Sequence, residues 1–214
     1  MKTLVTAHSG CEGTAPNSMD HILTALSCGA EMIEIDVRRS PDLPGSGLYL
    51  SHDEGDPFSS VSFGTFLDTL KQSPSVRVNC DVKTEGLCAA VLEEAARRDL
   101  TDRIVFTGSC MGEEMPIWEM GGEFWYSIWD RADFEGAVTS MLRTGAKVLN
   151  LPYRFVSEEN KQRLDGLGLG FSCWTADTEE EIRRLLDLGV YNITTRKPKL
   201  ALMLREEEEK AKLL

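Results

Sequence analysis

Short β-branched runs alternate with stretches of helical period from one end of the chain to the other. Strands are predicted at TLVTAHS, EMIEIDV, VRVNCDVK, RIVFTGS, EFWYSIWD, KVLNLPY, GFSCWTAD and YNITTR, with a shorter one at GLYLSH directly after EMIEIDV. Between them the apolar positions recur at three and four. SMDHILTALSCGA predicts a helix ending at a Gly, FGTFLDTLKQ another, and TEGLCAAVLEEAARRDL a long one opening with Thr84 as cap candidate. MGEEMPIWEMGG is only weakly periodic. DFEGAVTSMLRTGA closes on Gly, SEENKQRLDGLG opens on a Ser cap, and TEEEIRRLLDLGV opens on a Thr cap with an acidic first turn. PKLALMLREEEEKAKLL closes the chain as a helix with Pro near its start. Such alternation dictates a parallel sheet with right-handed crossovers. About eight strand–helix units predict an α/β fold of one closed (β/α)8 TIM barrel over residues 1–214. An open doubly wound sheet is the alternative that alternation alone does not separate.

The same period of two places polar residues where a barrel strand should be apolar. In EMIEIDV, Ile33, Ile35 and Val37 share one face and Glu34 and Asp36 the other. If the apolar face meets the helices, two carboxylates point inward at the strand's C-terminal end, where barrel active sites lie. Unpaired buried carboxylates are costly, and a divalent cation with oxygen ligands offsets that cost directly. In VRVNCDVK, Val78, Cys80 and Val82 share one face, and Asn79, Asp81 and Lys83 the other, so Asp81 is a third candidate ligand. His8 ends the first strand and His52 ends GLYLSH. Any one of these could be a structural hydrogen-bonding group; together at strand ends they form a candidate catalytic set of hard oxygen ligands and two imidazoles.

Composition narrows the partners. With 214 residues and a formal net charge of −12, the chain repels a phosphate backbone and an anionic lipid surface, and its basic residues are scattered, so no nucleic-acid partner is expected. The six cysteines form no CxxC pair and no zinc pattern. The opening MKTLVTAHSG is too short and polar for a signal peptide and no stretch is long enough to span a membrane. Free thiols in a reducing cytoplasm are the expectation. Trp118, Trp125 and Trp129 read first as packing. Asn150 and Thr195 stand at strand ends where substrate contact or a structural hydrogen bond would serve equally. His21, inside the first helix, reads as a surface or satisfied residue.

The segments AHSGCEGTAPNS, GAEMIEIDVRRS, SHDE, CDVKTE and CWTADTEEEIRRLLDLGVYNITTRKP, in this order, resemble the glycerophosphodiester phosphodiesterases. That family carries H-R-G, P-E-N-T, G-A-D-x-I-E-x-D-V, H-D, an E-I-K strand, a late W-T strand and a last strand like I-T-D-R-P. The likeness touches both ends of the chain and skips roughly the middle third. It implies one divalent cation, Mg2+ or Ca2+, on Glu34, Asp36 and Asp81, the last standing where the family has Glu. It implies His8 and His52 as the acid/base pair, Lys83 on the phosphate and Trp174 along the substrate side. Departures are specific. Ser9 replaces the family's Arg, which leaves Lys83 and Arg38 as the positive groups for a phosphate. Pro16-Asn17-Ser18-Met19 lacks the family's Glu, and the cap insertion is reduced or missing, which opens the mouth. The Glu/Asp/Asp set is also similar to that of the sphingomyelinase D-type phospholipases. The resemblance therefore implies a metal-dependent hydrolase of a small phosphodiester. A binding module on the same barrel, or a lysophospholipase D-like or cyclising enzyme, are the other readings. Oligomeric state is not read from the sequence.

Overall fold

A computed structural model describes residues 2–212. The strands are β1 (Leu4–Ala7), β2 (Met32–Arg39), β3 (Leu48–Leu50), β4 (Arg77–Val82), β5 (Ile104–Gly108), β6 (Glu123–Phe124), β7 (Tyr126–Ser127), β8 (Val148–Pro152), β9 (Gly170–Trp174) and β10 (Asn192–Thr195). The helices are α1 (Met19–Ser27), α2 (Phe63–Leu70), α3 (Cys88–Ala96), α4 (Glu114–Glu119), α5 (Phe134–Thr144), α6 (Glu158–Gly166), α7 (Glu179–Asp187) and α8 (Pro198–Ala211). Hydrogen bonding runs β6-β5-β4-β2-β1-β10-β9-β8-β7, all parallel, with β3 added antiparallel to β2. β6 and β7 are two halves of one stave broken at Trp125. The first half pairs with β5 and the second with β8, and the Trp125 amide donates to Phe106 O at 3.0 Å. The ring closes there, so the alternative of an open doubly wound sheet is excluded.

Local chemistry sets the element ends. Ser18, Ser62, Ser157 and Thr178 each accept a hydrogen bond from the third residue of the helix they precede, and Thr178 with Glu181 completes a capping box. α3 starts later than expected. Gly86 takes φ +80, and the amides of Gly86 and Cys88 bond the Glu113 carboxylate at 2.9 and 3.2 Å. An acidic side chain from the β5–α4 connection thus does what Thr84 was expected to do. The segment GLYLSH differs more. It is not a barrel stave but turns back along β2, pairing Val37 with Leu50, Arg38 with Tyr49 and Arg39 with Leu48.

Two apolar layers hold the barrel. Outward residues Ile33, Ile35, Val78, Cys80, Leu149, Leu151, Phe171 and Ile193 pack against helix residues such as Ile22, Phe66, Leu67, Val91 and Leu185. A smaller interior cluster of Met32, Val105, Trp125 and Val148, with Leu4 and Tyr191 against it, plugs the N-terminal end. Trp125 is fully buried and stacks edge-on with Tyr191, so the packing expected of it is what it does. Truncating such a ring costs about 3–5 kcal/mol. Because the plug fills the bottom, the inward residues one and two steps further along each strand are the ones that reach the open C-terminal mouth.

Candidate active site

β2 and β4 run in register from Met32↔Arg77 to Val37↔Val82, which sets Glu34 beside Asn79 and Asp36 beside Asp81. One carboxylate oxygen from each of Glu34, Asp36 and Asp81 lies within 4.8 Å of the other two. Glu34 is 5% exposed and Asp36 2%. Each acid is tied down separately. The Ser9 amide donates to Glu34 Oε2 at 2.7 Å, and His8 Nδ1 stands 3.8 Å from the same oxygen. Asn17 grips Asp36 twice: Nδ2 donates to Oδ2 at 2.7 Å, and Oδ1 accepts from the Asp36 amide at 3.0 Å. Lys83 Nζ bridges Asp36 Oδ1 at 2.7 Å and Asp81 Oδ2 at 2.6 Å. Burial opposes the Lys83 charge, but Asp81 and Asp36 outweigh it and raise its pKa. Burial pushes Glu34 up to about 7; His8 opposes this, and Asp36 and Asp81 reinforce it.

The donor set fits a hard divalent cation. Three anionic oxygens within 4.8 Å of one another are the hard donors such an ion takes.

The two imidazoles are held differently. His8 Nδ1 lies 2.8 Å from Ser9 O, and a carbonyl only accepts, so Nδ1 carries the hydrogen and Nε2 keeps a free lone pair. His52 Nδ1 lies 3.0 Å from Asp53 Oδ1, which fixes the same tautomer, but its side chain is 63% exposed. Its place differs from the expectation of a barrel strand end. It follows the antiparallel β3, and Arg38 holds its carbonyl through Nε and Nη2 at 3.1 and 2.8 Å.

A cavity of about 240 Å³ opens over the mouth, lined by Glu34, His52, Asn79, Asp81, Lys83, Thr107, Gly108, Ser127, Trp129, Asn150, Trp174 and Thr194. Of the residues expected from sequence, Glu34, His52, Asp81, Lys83 and Trp174 are in its wall. Asp36 lies directly behind, and His8 stands beside Glu34. Ser9 and Arg38 are not brought into the wall. Ser9 is buried, with Oγ accepting from the Asn17 amide at 3.0 Å, and Arg38 is spent on the His52 carbonyl. Trp129 is exposed at the rim, unlike Trp125, and His21 is buried, its Nε2 3.2 Å from Glu34 O. Thr195 Oγ1 bonds Asp177 Oδ1, a structural role.

Besides the wall residues Thr107, Ser127 and Thr194, two residues that shape the carboxylate cluster escaped the sequence reading. Asn17, at φ +56, is an Asp36 clamp that only the fold reveals. Gly108, at φ +82, ends β5 beside Asp81, and a Cβ there would stand 2.0 Å from Asp81 Oδ1. The TGS that closes β5 was the available signal, a glycine at a barrel strand end. All six cysteines are free, and among the described residues no helix is long and apolar enough to cross a membrane.

No protein-family model and no curated protein match the sequence. Solved structures share the fold. An Agrobacterium tumefaciens protein, named a candidate glycerophosphoryl diester phosphodiesterase, matches at TM-score 0.86 and 19% identity over 98% of this chain and 100% of that one. An Oleispira antarctica phosphodiesterase, solved with the product sn-glycerol-3-phosphate, matches at 0.79 and 15%, covering 96% and 97%. A glycerophosphodiester phosphodiesterase of Parabacteroides distasonis matches at 0.77 and 19%, covering 97% and 98%.

Proposed function

We propose that this chain is a phosphoric diester hydrolase of the glycerophosphodiester phosphodiesterase kind, metal-dependent and acting on a glycerophosphodiester or a similar small diester. The carrying observation is the convergence at one barrel mouth of three carboxylates, the Lys83 ammonium and two imidazoles with open Nε2 atoms. The names of the structural neighbours, and the glycerol phosphate product of one of them, support the same chemistry. The six free thiols fit a cytoplasmic setting.

Glu34, Asp36 and Asp81 would hold one Mg2+ or Ca2+ ion. Such an ion, when bound, polarises a phosphoryl oxygen as a Lewis acid. Lys83 offers a fixed positive charge to a non-bridging oxygen, the task that Ser9 cannot share. One Nε2, on His8 or His52, takes the proton of the attacking hydroxyl; the other, protonated, returns a proton to the leaving alcohol. Ser9 contributes through its amide, which aims Glu34, and Arg38 through the His52 carbonyl. Water as attacking group yields a phosphomonoester and an alcohol, and an internal hydroxyl yields a cyclic phosphate.

A second reading, a lysophospholipase D- or sphingomyelinase D-like enzyme, is favoured by one observation. Phe58, Met111, Met115 and Trp129 are large, exposed and borne on or beside strand-to-helix connections, the mouth side of a barrel. One experiment weighs these readings: alcohol release from glycerophosphodiesters and lysophospholipids with magnesium, calcium or EDTA. EDTA-sensitive turnover of the first class is expected. Preference for the second class selects the lipid reading, and metal binding without turnover of either would leave a non-catalytic binding module.

A further inference from the structure

Asn79 stands among the carboxylates without sharing their charge. β4 sets it beside Glu34 on β2 and one inward position deeper than Asp81. The residue is 3% exposed, and it lines the cavity. Thr107, paired with Asp81 across β4 and β5, donates its hydroxyl to Asn79 Oδ1 at 2.7 Å. That bond takes up the acceptor end of the carboxamide and leaves the amino end for the cavity. The surroundings favour this orientation: an amide oxygen turned the other way would face the carboxylates of Glu34 and Asp81, whereas an amino group is attracted by them. Among the described residues Nδ2 has no acceptor, yet it is not one of the atoms shut away from solvent, as Asn150 Oδ1 and Trp174 Nε1 are.

A buried amino group beside carboxylates ordinarily donates to them, and this one does not. Glu34 Oε2 accepts from the Ser9 amide at 2.7 Å instead, and Asp81 Oδ2 from Lys83 at 2.6 Å. Two N–H hydrogens on a fixed side chain are therefore free for an acceptor that enters the cavity. An anionic oxygen answers best, because a charged partner makes a hydrogen bond roughly twice as strong as a neutral one. The non-bridging oxygens of a phosphodiester carry its charge. A neutral donor also suits this floor. A further cation here would compete with a metal ion for the carboxylates, whereas a carboxamide adds hydrogen bonds and leaves the ligands their charge.

We propose that Asn79 is a further catalytic residue, whose Nδ2 donates to a non-bridging oxygen of the substrate phosphate, and that Thr107 is the positioning residue that aims it. This rests on the proposed hydrolase reading for the reaction. Charge on that oxygen grows as the attacking oxygen bonds to phosphorus and falls again as the leaving alcohol departs with its proton. Nδ2 gives up no proton at any step. A fixed donor aimed at growing charge lowers the barrier more than it tightens substrate binding. With Ser9 buried and uncharged, Lys83 and Asn79 divide the phosphate oxygens between a cationic and a neutral donor.

The test is the steady-state rate of the full chain, with magnesium, on methyl para-nitrophenyl phosphate and on the two stereoisomers of its phosphorothioate, in which sulfur, a weak acceptor, replaces one non-bridging oxygen. Asn79→Ala should lower kcat on the phosphate by about 100-fold and raise KM by less than about tenfold. On the isomer whose sulfur faces Nδ2 the same substitution should lower kcat by less than about tenfold, because the donor has little to lose there. Calorimetric magnesium affinity should stay within about twofold, where misaiming a carboxylate ligand would cost roughly 10- to 100-fold. Thr107→Val should show the same isomer preference with a fall in kcat of about tenfold or less. Exchanging both partners of a hydrogen bond for apolar groups of similar shape is nearly neutral for stability, so the double variant Asn79→Leu with Thr107→Val carries the test if Asn79→Ala does not fold. An undiminished kcat, an equal fall on the phosphate and both isomers, or magnesium affinity lost in step with the rate would overturn the role of Asn79. If wild type turns over no diester, calorimetry with inorganic phosphate and magnesium decides. Affinity weaker by about tenfold in Asn79→Ala would sustain the contact and defeat the hydrolase reading, whereas equal affinities or no binding would defeat the contact as well.

Discussion

In the half of the mouth built from β1, β2 and β4, every charged group at the cavity floor is tied to another part of the fold: Glu34 to the Ser9 amide, Asp36 to Asn17, and Lys83 to Asp36 and Asp81. In the half built from β7 to β10 the side chains that line the cavity are neutral, and two of their buried atoms, Asn150 Oδ1 and Trp174 Nε1, have no hydrogen-bond partner. The charged half is tied together by its own ion pairs and hydrogen bonds, whereas the neutral half keeps two buried polar atoms without a partner. Preorganised charge costs no rearrangement at the moment of reaction. The division places the carboxylate cluster and the Lys83 ammonium on the first strands and leaves the last strands neutral at the mouth.

The strongest way to break this division is at the imidazoles. His8→Ala and His52→Ala should each lower kcat by 10²- to 10⁴-fold with KM nearly unchanged, because general acid–base catalysis contributes on that scale. Rates on a chromogenic diester measure it. His52 is the sharper trial, since it is exposed and hangs on β3 outside the barrel wall. A full-strength His52→Ala enzyme would remove it from the reaction and leave His8 alone.

Next in size is Gly108, where the two halves touch. Its φ is +82, and an added Cβ would stand 2.0 Å from Asp81 Oδ1 and 2.5 Å from Val82 O. Gly108→Ala should lower stability by about 1–3 kcal/mol and weaken metal binding by on the order of 100-fold as Asp81 is displaced. Calorimetry with magnesium or calcium reads the second effect. Metal affinity equal to wild type would show that Asp81 is not a ligand. A smaller loss, on the order of tenfold in metal affinity, is expected for Asn17→Gly, since Gly keeps the left-handed backbone at φ +56 and removes only the carboxamide that aims Asp36. Asn150→Leu should not move metal affinity at all; if it did, the two halves would not be separable.

These residues also mark where sequence stops specifying the site. Glu34, Asp36, Asp81 and Lys83 were legible because a strand's period of two and its C-terminal end locate a side chain without knowledge of its neighbours. His52 was expected on a stave because Leu48, Tyr49 and Leu50 have a strand's composition, and nothing local tells an antiparallel return from a barrel strand. Asn17 and Gly108 answer to partners on other strands, Asp36 and Asp81, so only the assembled barrel gives them meaning. The same holds for β6 and β7. EFWYSIWD reads as one strand, yet Trp125 turns into the interior plug and splits its pairing between β5 and β8. At Thr84 a local cap signal lost to Glu113, a carboxylate supplied by a different connection.

The smallest effect is nil at neutral pH and probes what supports the charged half from behind. His21 is buried under β2. Its Nε2 lies 3.2 Å from Glu34 O, which only accepts, so Nε2 carries the hydrogen and Nδ1 faces Cys11 Sγ at 3.6 Å as an acceptor. Burial lowers its pKa from 6.5 to about 4, with the Glu34 carbonyl opposing. Since the folded value lies below the unfolded one, the unfolded chain binds more protons between pH 6.5 and 4, and stability falls as pH drops through that window. By pH 5 the loss is about 2 kcal/mol. In the metal-free protein Glu34 works in the opposite direction. Its raised pKa means the native state takes up a proton as pH falls from about 7, which adds stability. A raw stability curve therefore mixes the two, and the informative quantity is the difference between wild type and His21→Gln in EDTA, by urea unfolding from pH 7 to pH 4.5. That difference should shift by about 2 kcal/mol in favour of the variant by pH 5. A difference constant across the range would mean that His21 keeps its ordinary affinity for protons, and that the polar support beneath Glu34 is looser than its burial implies.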